Sequence, residues 1–383
     1  MFFSGIIYAF IAGSLYLFLR SWQSLEILGR RRIWFAATYW FIFLSFLAAQ
    51  ILRRRGISSE SFDVFLFIGY WSCVVLTLYG FLILLIIDIL RIVGWAVKFK
   101  PKFIYRNYPM SKVIAFGAVC FALALILIAG YCNAHFPRAT HLEIYVDKNA
   151  GQLTELRVVM VSDIHKGMIH GRKMLARIVD EINKQQPDIV LLVGDIFDGS
   201  PAPVIEQDTG VEFRRLQSKY GAYMIAGNHE RIGRREERNA ANENTTIAYM
   251  TSQGVQLLLD TVVLIDNGFY LAGRKDYSDR SRKTVPELLY DVNRRLPVIM
   301  ADHQPYNLDE AAQAGVDLQL SGHTHHGQLF PLNYITGKIF EKDWGFLQKG
   351  KTHYYISCGA GTWGPPFRTA GFSEVVVIDL KFK

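Results

Sequence analysis

Cysteine is scarce in this chain, with four in 383 residues. Cys73, Cys120 and Cys132 fall in or beside long hydrophobic runs, which leaves Cys358 alone in the polar remainder. One thiol builds neither a disulfide framework nor a Cys-rich structural zinc site, and it leaves the redox compartment open. The polar remainder also lacks an excess of either charge. Residues 133–383 hold 29 Lys/Arg against 30 Asp/Glu, whereas residues 1–132 hold 13 against 4, so the net charge of +8 belongs to the first third. A nucleic-acid-binding body would carry that excess itself. Internal repeats and long low-complexity linkers are absent too. Within the hydrophobic runs the acidic residues are Asp63 and Asp88, both near run ends. A channel or transporter usually shows ionisable groups deeper in its spans, so a membrane anchor is the simpler reading.

Four stretches are long and apolar enough to cross a bilayer: 2–19, 33–52, 62–87 and 113–132. The first has no basic leader and no small-residue cleavage site, and reads as a retained helix. Ten Lys/Arg lie in or beside the loops joining spans one to two (Arg20, Arg30–Arg32) and three to four (Arg91, Lys98, Lys100, Lys102, Arg106, Lys112). Five lie on the other side: Arg53–Arg55, Arg138 and Lys148. The positive-inside rule then expects a multi-pass protein of the cytoplasmic membrane, with the C-terminal domain periplasmic or extracellular. The expected division is a four-span anchor over 1–132, a connector with a first strand over 133–154, and a catalytic domain over 155–383.

From about residue 140, short apolar runs alternate with helical stretches, the pattern of an α/β domain. Strands are expected at 155–162, 188–193, 221–226, 261–265, 269–273, 297–301, 316–320, 353–358 and 374–380, and helices near 171–185, 206–219, 235–253, 284–294 and 307–314. Five strands end in chemically loaded segments: Asp163-x-His165, Gly194-Asp195-x-x-Asp198, Gly227-Asn228-His229-Glu230, Asp302-His303, and Gly322-His323-x-His325. Ligands of α/β sheets gather beyond the strand carboxyl ends. Oxygen and imidazole donors without thiolates suit Mn²⁺, Fe or Zn²⁺, and this inventory is that of a two-metal hydrolase. Glycines 194, 227 and 322 are expected to let the backbone turn sharply between strand and site.

As an ordered set over about 155–380, these blocks resemble the calcineurin-like metallophosphoesterase superfamily. The segments SGHTHHGQLFP and CGAGTWGPPFR resemble its membrane-anchored branch, transmembrane proteins with a metallophosphoesterase domain, which is related to UDP-2,3-diacylglucosamine hydrolases. The resemblance implies a two-sheet α/β sandwich of the metallophosphoesterase type, preceded by an all-α four-helix transmembrane domain. It implies one metal held by Asp163, His165, Asp195 and His325, and a second held by Asp195, Asn228, His303 and His323. A metal-bridging hydroxide would attack phosphorus, and His229 would act as general acid. Mn²⁺ is the expected metal, with Fe or Zn²⁺ compatible. Asp198 is expected to steady a ligand histidine or a loop rather than ligate. Arg231, Arg274 and Arg368 are candidate substrate contacts, with a solvated helix start or a loop brace as the plainer alternative. His326 and the remaining histidines fit no block. One departure stands out: relatives often show Pro-Glu before the last strand, where this chain reads Phe372-Ser373-Glu374.

The expected activity is therefore two-metal hydrolysis of a phosphomonoester or phosphodiester. A membrane tether favours a membrane lipid or lipid-linked phosphate as substrate. Cleavage of the UDP-2,3-diacylglucosamine pyrophosphate is the alternative enzyme, and a catalytically silent phosphate-binding membrane scaffold is the alternative of another class. Neither a nucleic-acid nor a protein partner is implied.

Overall fold

A computed structural model of the chain describes residues 2–54, 60–99, 101–167, 171–199, 202–206, 208–231 and 236–383. Its contacts divide it into two units, Met1–Ala129 and Gly130–Lys383.

The first unit is helical. Helices run over Phe2–Ser24, Arg32–Arg54 and Glu60–Ala96, and a fourth, Tyr108–His135, continues into the second unit. Among the described residues, Phe65–Ala96 and Tyr108–His135 are long and apolar enough to cross a membrane. The third helix has 37 residues, about 55 Å at 1.5 Å per residue, which exceeds a hydrocarbon core of about 30 Å. Phe18 stacks among Phe35, Tyr39 and Trp40, with centroids 5.2–6.2 Å apart. Tyr39 donates to the Ser14 carbonyl at 2.7 Å. Asp88 accepts from Tyr16 at 2.7 Å and pairs with Arg20 and Arg91. That acidic residue is thus a helix-to-helix fastener, in line with an anchor. The Asp63 side chain lies outside the described residues.

The second unit holds two six-stranded sheets. In chain order the strands are β1 Arg138–Val146, β2 Glu155–Val161, β3 Ile189–Val193, β4 Ala222–Ile225, β5 Val255–Leu257, β6 Thr261–Ile265, β7 Phe269–Gly273, β8 Val298–Ala301, β9 Leu318–Ser321, β10 Gly345–Lys349, β11 Thr352–Ile356 and β12 Glu374–Phe382. The sheet orders are β1-β12-β2-β3-β4-β5 and β10-β11-β9-β8-β7-β6. β2 through β5 are mutually parallel, as are β7, β8, β9 and β11. Period-two alternation sorts the side chains into layers. Val158 and Met160 of β2 join Leu191, Ile225, Ile299 and Leu320 between the sheets. Val159 and Val161 face outward instead, beneath Leu175, Ile178 and Ile182 of helix Arg172–Lys184. The second sheet buries Val298 and Met300 against Val285, Leu289 and Leu308. The result is a helix–sheet–sheet–helix sandwich, the expected two-sheet α/β architecture.

Two helices are shorter than expected. The 206–219 stretch splits into Ala202–Glu206 and a 3₁₀ turn over Thr209–Arg215, with Asp208 left-handed at φ 44° between them. The 284–294 stretch stops at Val285–Leu288, opened by a Thr284/Glu287 capping box. Strands β5 and β10 and helix Asn333–Ile339 were not anticipated from the apolar pattern.

Candidate metal centre

The loops that leave β2, β3, β4, β8 and β9 at their carboxyl ends carry all five motif blocks. They are laced together past the sheets. Asp163 N donates to Gly194 O at 3.0 Å, His165 N to Asp195 O at 3.0 Å, and Gly322 N to His303 O at 2.9 Å. Five of the chemically loaded residues have left-handed backbone: Asp163 (φ 53°), His165 (47°), Asp195 (52°), His323 (71°) and His325 (49°). Such conformations are uncommon for non-glycine residues and cluster where function holds them. The glycines serve two purposes. Gly194, at φ 77°, needs the left-handed conformation itself. Gly227 and Gly322 have no such φ and instead make room: a Cβ would sit 2.2 Å from Asp195 Oδ1 in the first and 2.3 Å from Asp163 Oδ2 in the second.

The side chains converge. Asp163, His165 and His325 form one group of donors, and Asp195, His303 and His323 another; His165 and Asp195 also group with His229. Asp195 thus takes part on both sides of the site. The Nε2 atoms of His165 and His325 face each other at 2.9 Å. His325 Nε2 is 3.4 Å from Asp163 Oδ1, and His303 Nε2 is 3.2 Å from Asp195 Oδ2. Donors about 2.1 Å from a common cation would be separated by about 3.0–3.4 Å, so these spacings suit shared ions. Asn228 Oδ1 is buried without a hydrogen-bond partner, and His303 Nε2 has only the Asp195 carboxylate beside it. His303 Nδ1 meets Val193 O at 2.8 Å, which places its proton there and leaves Nε2 as a free donor of electrons. The residues present therefore fit divalent metal ions.

Charge on the metal-free site points the same way. Burial opposes ionisation of Asp195, yet His303 and His165 beside it hold its carboxyl well below the usual range. Burial likewise opposes a proton on His303, but Asp195 overrides it and raises that pKa. His323 is pushed down to about 4 by burial and by His303. A compact, buried demand for positive charge remains.

Several groups brace the site. Asp198 lies 3.6 Å from His165 Nδ1 and 3.2 Å from His229 Nδ1. The His165 and His229 rings meet edge to face at 4.5 Å. Burial pulls the His229 pKa down, but Asp198 and Asp195 outweigh it, and the net shift is upward. Glu230 is fully buried and accepts from Asp195 N (3.0 Å), Phe197 N (2.9 Å) and Gly227 N (2.7 Å). Burial and the charge of Asp195 push its carboxyl up to about 7. Sequence reading gave Glu230 no role, although its place within Gly-Asn-His-Glu was the available signal. Glu374 was equally overlooked. It accepts from Tyr355 OH at 2.8 Å, Ser357 Oγ at 3.0 Å and Cys358 N at 3.1 Å, tying the last strand to the second sheet.

The candidate substrate arginines need correction. Arg274 is buried and bonds Asp302 (2.9 Å), Glu310 (3.3 Å) and Lys283 O (2.9 Å). Arg368 is fully buried, with its guanidinium on Gly361 O and against His325 Nδ1 at 3.2 Å. Both are braces with no face left for substrate. His325 Nδ1 thus meets a cation instead of an acceptor. The Arg231 side chain lies outside the described residues. His326 turns away from the centre, to Asp343 at 2.9 Å and the Trp344 ring at 4.8 Å.

The family profile for calcineurin-like phosphoesterase matches residues 156–327. A zebrafish (Danio rerio) transmembrane protein with metallophosphoesterase domain is 30% identical over 73% of this chain and 67% of its own length. An uncharacterized metallophosphoesterase from Campylobacter jejuni is 32% identical over 60% of each chain. Another from Aquifex aeolicus is 30% identical over 67% of this chain and 98% of its own. The chain thus spans about 60–67% of the first two relatives' length. A solved Thermus thermophilus 5'-nucleotidase precursor aligns at 14% identity and a TM-score of 0.34, over 59% of this chain and 54% of that one. The chain belongs to the calcineurin-like phosphoesterases, a family of metal-dependent hydrolases of phosphate esters. Within it, the chain groups with the membrane-associated members.

Proposed function

We propose that this protein is a membrane-anchored, two-metal phosphoesterase that hydrolyses a phosphate ester on a membrane lipid or lipid-linked substrate. The observation that carries the hydrolytic reading is the buried convergence of Asp163, His165, Asp195, His303, His323 and His325, beside which Asn228 Oδ1 is buried without a hydrogen-bond partner. Asp163, His165 and His325 would hold one ion, Asn228, His303 and His323 the other, and Asp195 both. Bound divalent ions, Mn²⁺ by preference, would acidify a water and neutralise charge developing on the phosphoryl oxygens. The protein's own part is to hold these donors rigid through Glu230, Asp198 and Arg368, and to present a proton. His229 stands beside the centre, its Nδ1 3.2 Å from Asp198, and from there would give a proton to the leaving oxygen.

The lipid reading rests on the apolar helices in the same chain and on the near-neutral catalytic region. Under the positive-inside count, the helices 2–24, 32–54, 60–96 and 108–135 form a multi-pass anchor over about 1–132. The domain that follows then lies on the periplasmic or extracellular side. The test is a release assay with full-length protein in Mn²⁺, comparing bis(p-nitrophenyl) phosphate with the headgroup phosphates of phospholipid vesicles. Turnover of both, abolished by His303→Ala, is expected. Turnover of the soluble diester alone would remove the lipid reading and keep the phosphoesterase. Maleimide labelling of a tag after Lys383 in intact cells tests the sidedness.

A further inference from the structure

Among the described residues of Gly130–Lys383, six exposed large apolar side chains belong to one segment and its surroundings. Helix Asn333–Ile339 buries none of its residues. On it and around it, Phe330, Leu332, Tyr334, Ile335, Ile339 and Trp363 are 39–63% exposed. Among the described residues of Gly130–Lys383, the exposed aliphatic side chains are Leu264, Leu332, Ile335 and Ile339, and three of those four are here. Scattered exposed apolar residues need no explanation, but a contiguous group does. Polar tethers fix the segment: Thr336 Oγ1 donates to Asp343 at 2.7 Å and to Asn333 O at 3.0 Å. Packing does not. In water each such side chain forgoes about 25 cal/mol per Å² of burial.

We propose that this apolar surface contacts the lipid bilayer and seats the catalytic unit on the headgroup layer. Two observations name lipid as the occupant. The first is a chain of hydrogen bonds that joins the surface to a helix long and apolar enough to span. Phe330 N donates to Thr369 Oγ1 (3.0 Å), and Thr369 N to Gln328 O (3.0 Å). Gln328 bonds Trp363 through both its amide atoms, at 2.8 and 3.1 Å. The same loop reaches the last turns of helix Tyr108–His135, with Arg368 N on Gly130 O (2.8 Å) and Ser373 N on Asn133 O (2.7 Å). The surface is therefore tied, within its own unit, to Gly130 and Asn133 in the last turns of that helix. The second observation is its chemistry. Trp363 and Tyr334 are residues of the headgroup level, Ile and Leu suit the acyl boundary, and Lys338 in the same helix suits lipid phosphate. The surface also leads to the metal centre: Phe340, next after Ile339, lies 6.0 Å from the His323 ring.

The proposal requires membrane association and not a lipid substrate. It is tested on the full chain in phospholipid nanodiscs, with Ile335→Cys carrying an environment-sensitive nitrobenzoxadiazole label and a nitroxide on the lipid acyl chains. The unsubstituted chain, labelled in parallel, corrects for the native cysteines, and Tyr290→Cys serves as an exposed control. Blue-shifted emission at Ile335→Cys, quenched at least twofold more than at Tyr290→Cys, is the expected result. Emission equal to that of Tyr290→Cys would overturn the proposal. So would a blue shift that persists in detergent and grows with protein concentration, since a second copy would then cover the surface. No hydrolysis is read, so failure of the lipid-substrate reading leaves this outcome intact.

Discussion

The two sheets contribute to the centre unequally. Loops of the first sheet bring Asp163, Asp195, the proposed ligand Asn228 and two histidines, whereas loops of the second bring His303, His323 and His325 and no proposed ligand carboxylate. Their braces differ in kind as well. On the first side an acid, Glu230, gathers three backbone N–H groups. On the second, arginines do the work: Arg274 and Arg282 on Asp302, next to His303, and Arg368 against His325. One sheet supplies the negative charge and the other supplies neutral donors at its rim. Neither sheet alone completes either proposed ion site, so metal binding would fasten the sheets together at this edge.

The largest effect should come from breaking that shared dependence. Asp195→Ala and His303→Ala, one from each sheet, should both lose at least the ~10²–10³ in kcat that a single electrostatic donor is worth. Metal counting by mass spectrometry under native conditions should fall below two ions for either variant. Two ions retained in His303→Ala would mean that the first sheet suffices. His229→Ala should cost up to about 10²–10⁴ in kcat with an alkyl phosphate ester. With p-nitrophenolate, which leaves without a proton, the loss should shrink sharply. Equal losses for the two leaving groups would make His229 a positioning residue.

A subtler pair sharpens the contrast of braces. Glu230→Gln and Asp302→Asn preserve shape but weaken the first-side and second-side supports in turn. Each should reduce metal affinity about 10–100-fold, the usual effect of a group behind the ligands. Isothermal titration with Mn²⁺ reads it, and Glu230→Gln should act mainly through Asp195. If Glu230→Gln titrates like the unsubstituted chain, the three N–H bonds hold the fold and not the ion.

The strands and the metal blocks were legible in the sequence because each rests on local signals. Short apolar runs marked β2, β3, β8 and β9, and the donors follow each strand directly. What was not legible depends on distance along the chain. Arg274 and Arg368 stayed open between substrate contact and brace because nothing near them in sequence discloses Asp302, 28 residues on, or the His325 ring, 43 residues back. Glu230 was visible, but its partners Asp195 and Phe197 come from another strand's loop. Helix Asn333–Ile339 escaped notice for a different reason: it buries no face, so no periodic apolar pattern announces it.

The smallest predicted effect concerns the histidine beside the ligands. His326 directly follows His325, and proximity alone would make it a further donor from the second sheet. Its ring is held by other partners instead, on a left-handed backbone at φ 48° like that of His325. There Nδ1 meets Asp343 at 2.9 Å and the ring packs 4.8 Å from Trp344. Asp343 also accepts from Thr336 at 2.7 Å, so the pair anchors the approach to the exposed helix. His326→Ala should therefore cost about 1 kcal/mol of stability, the worth of a typical hydrogen bond, read as a lower urea midpoint. Hydrolysis of a soluble diester should stay within twofold, with both ions retained. A loss of bound metal in this variant would add His326 to the second sheet's donors and narrow the difference between the two sides.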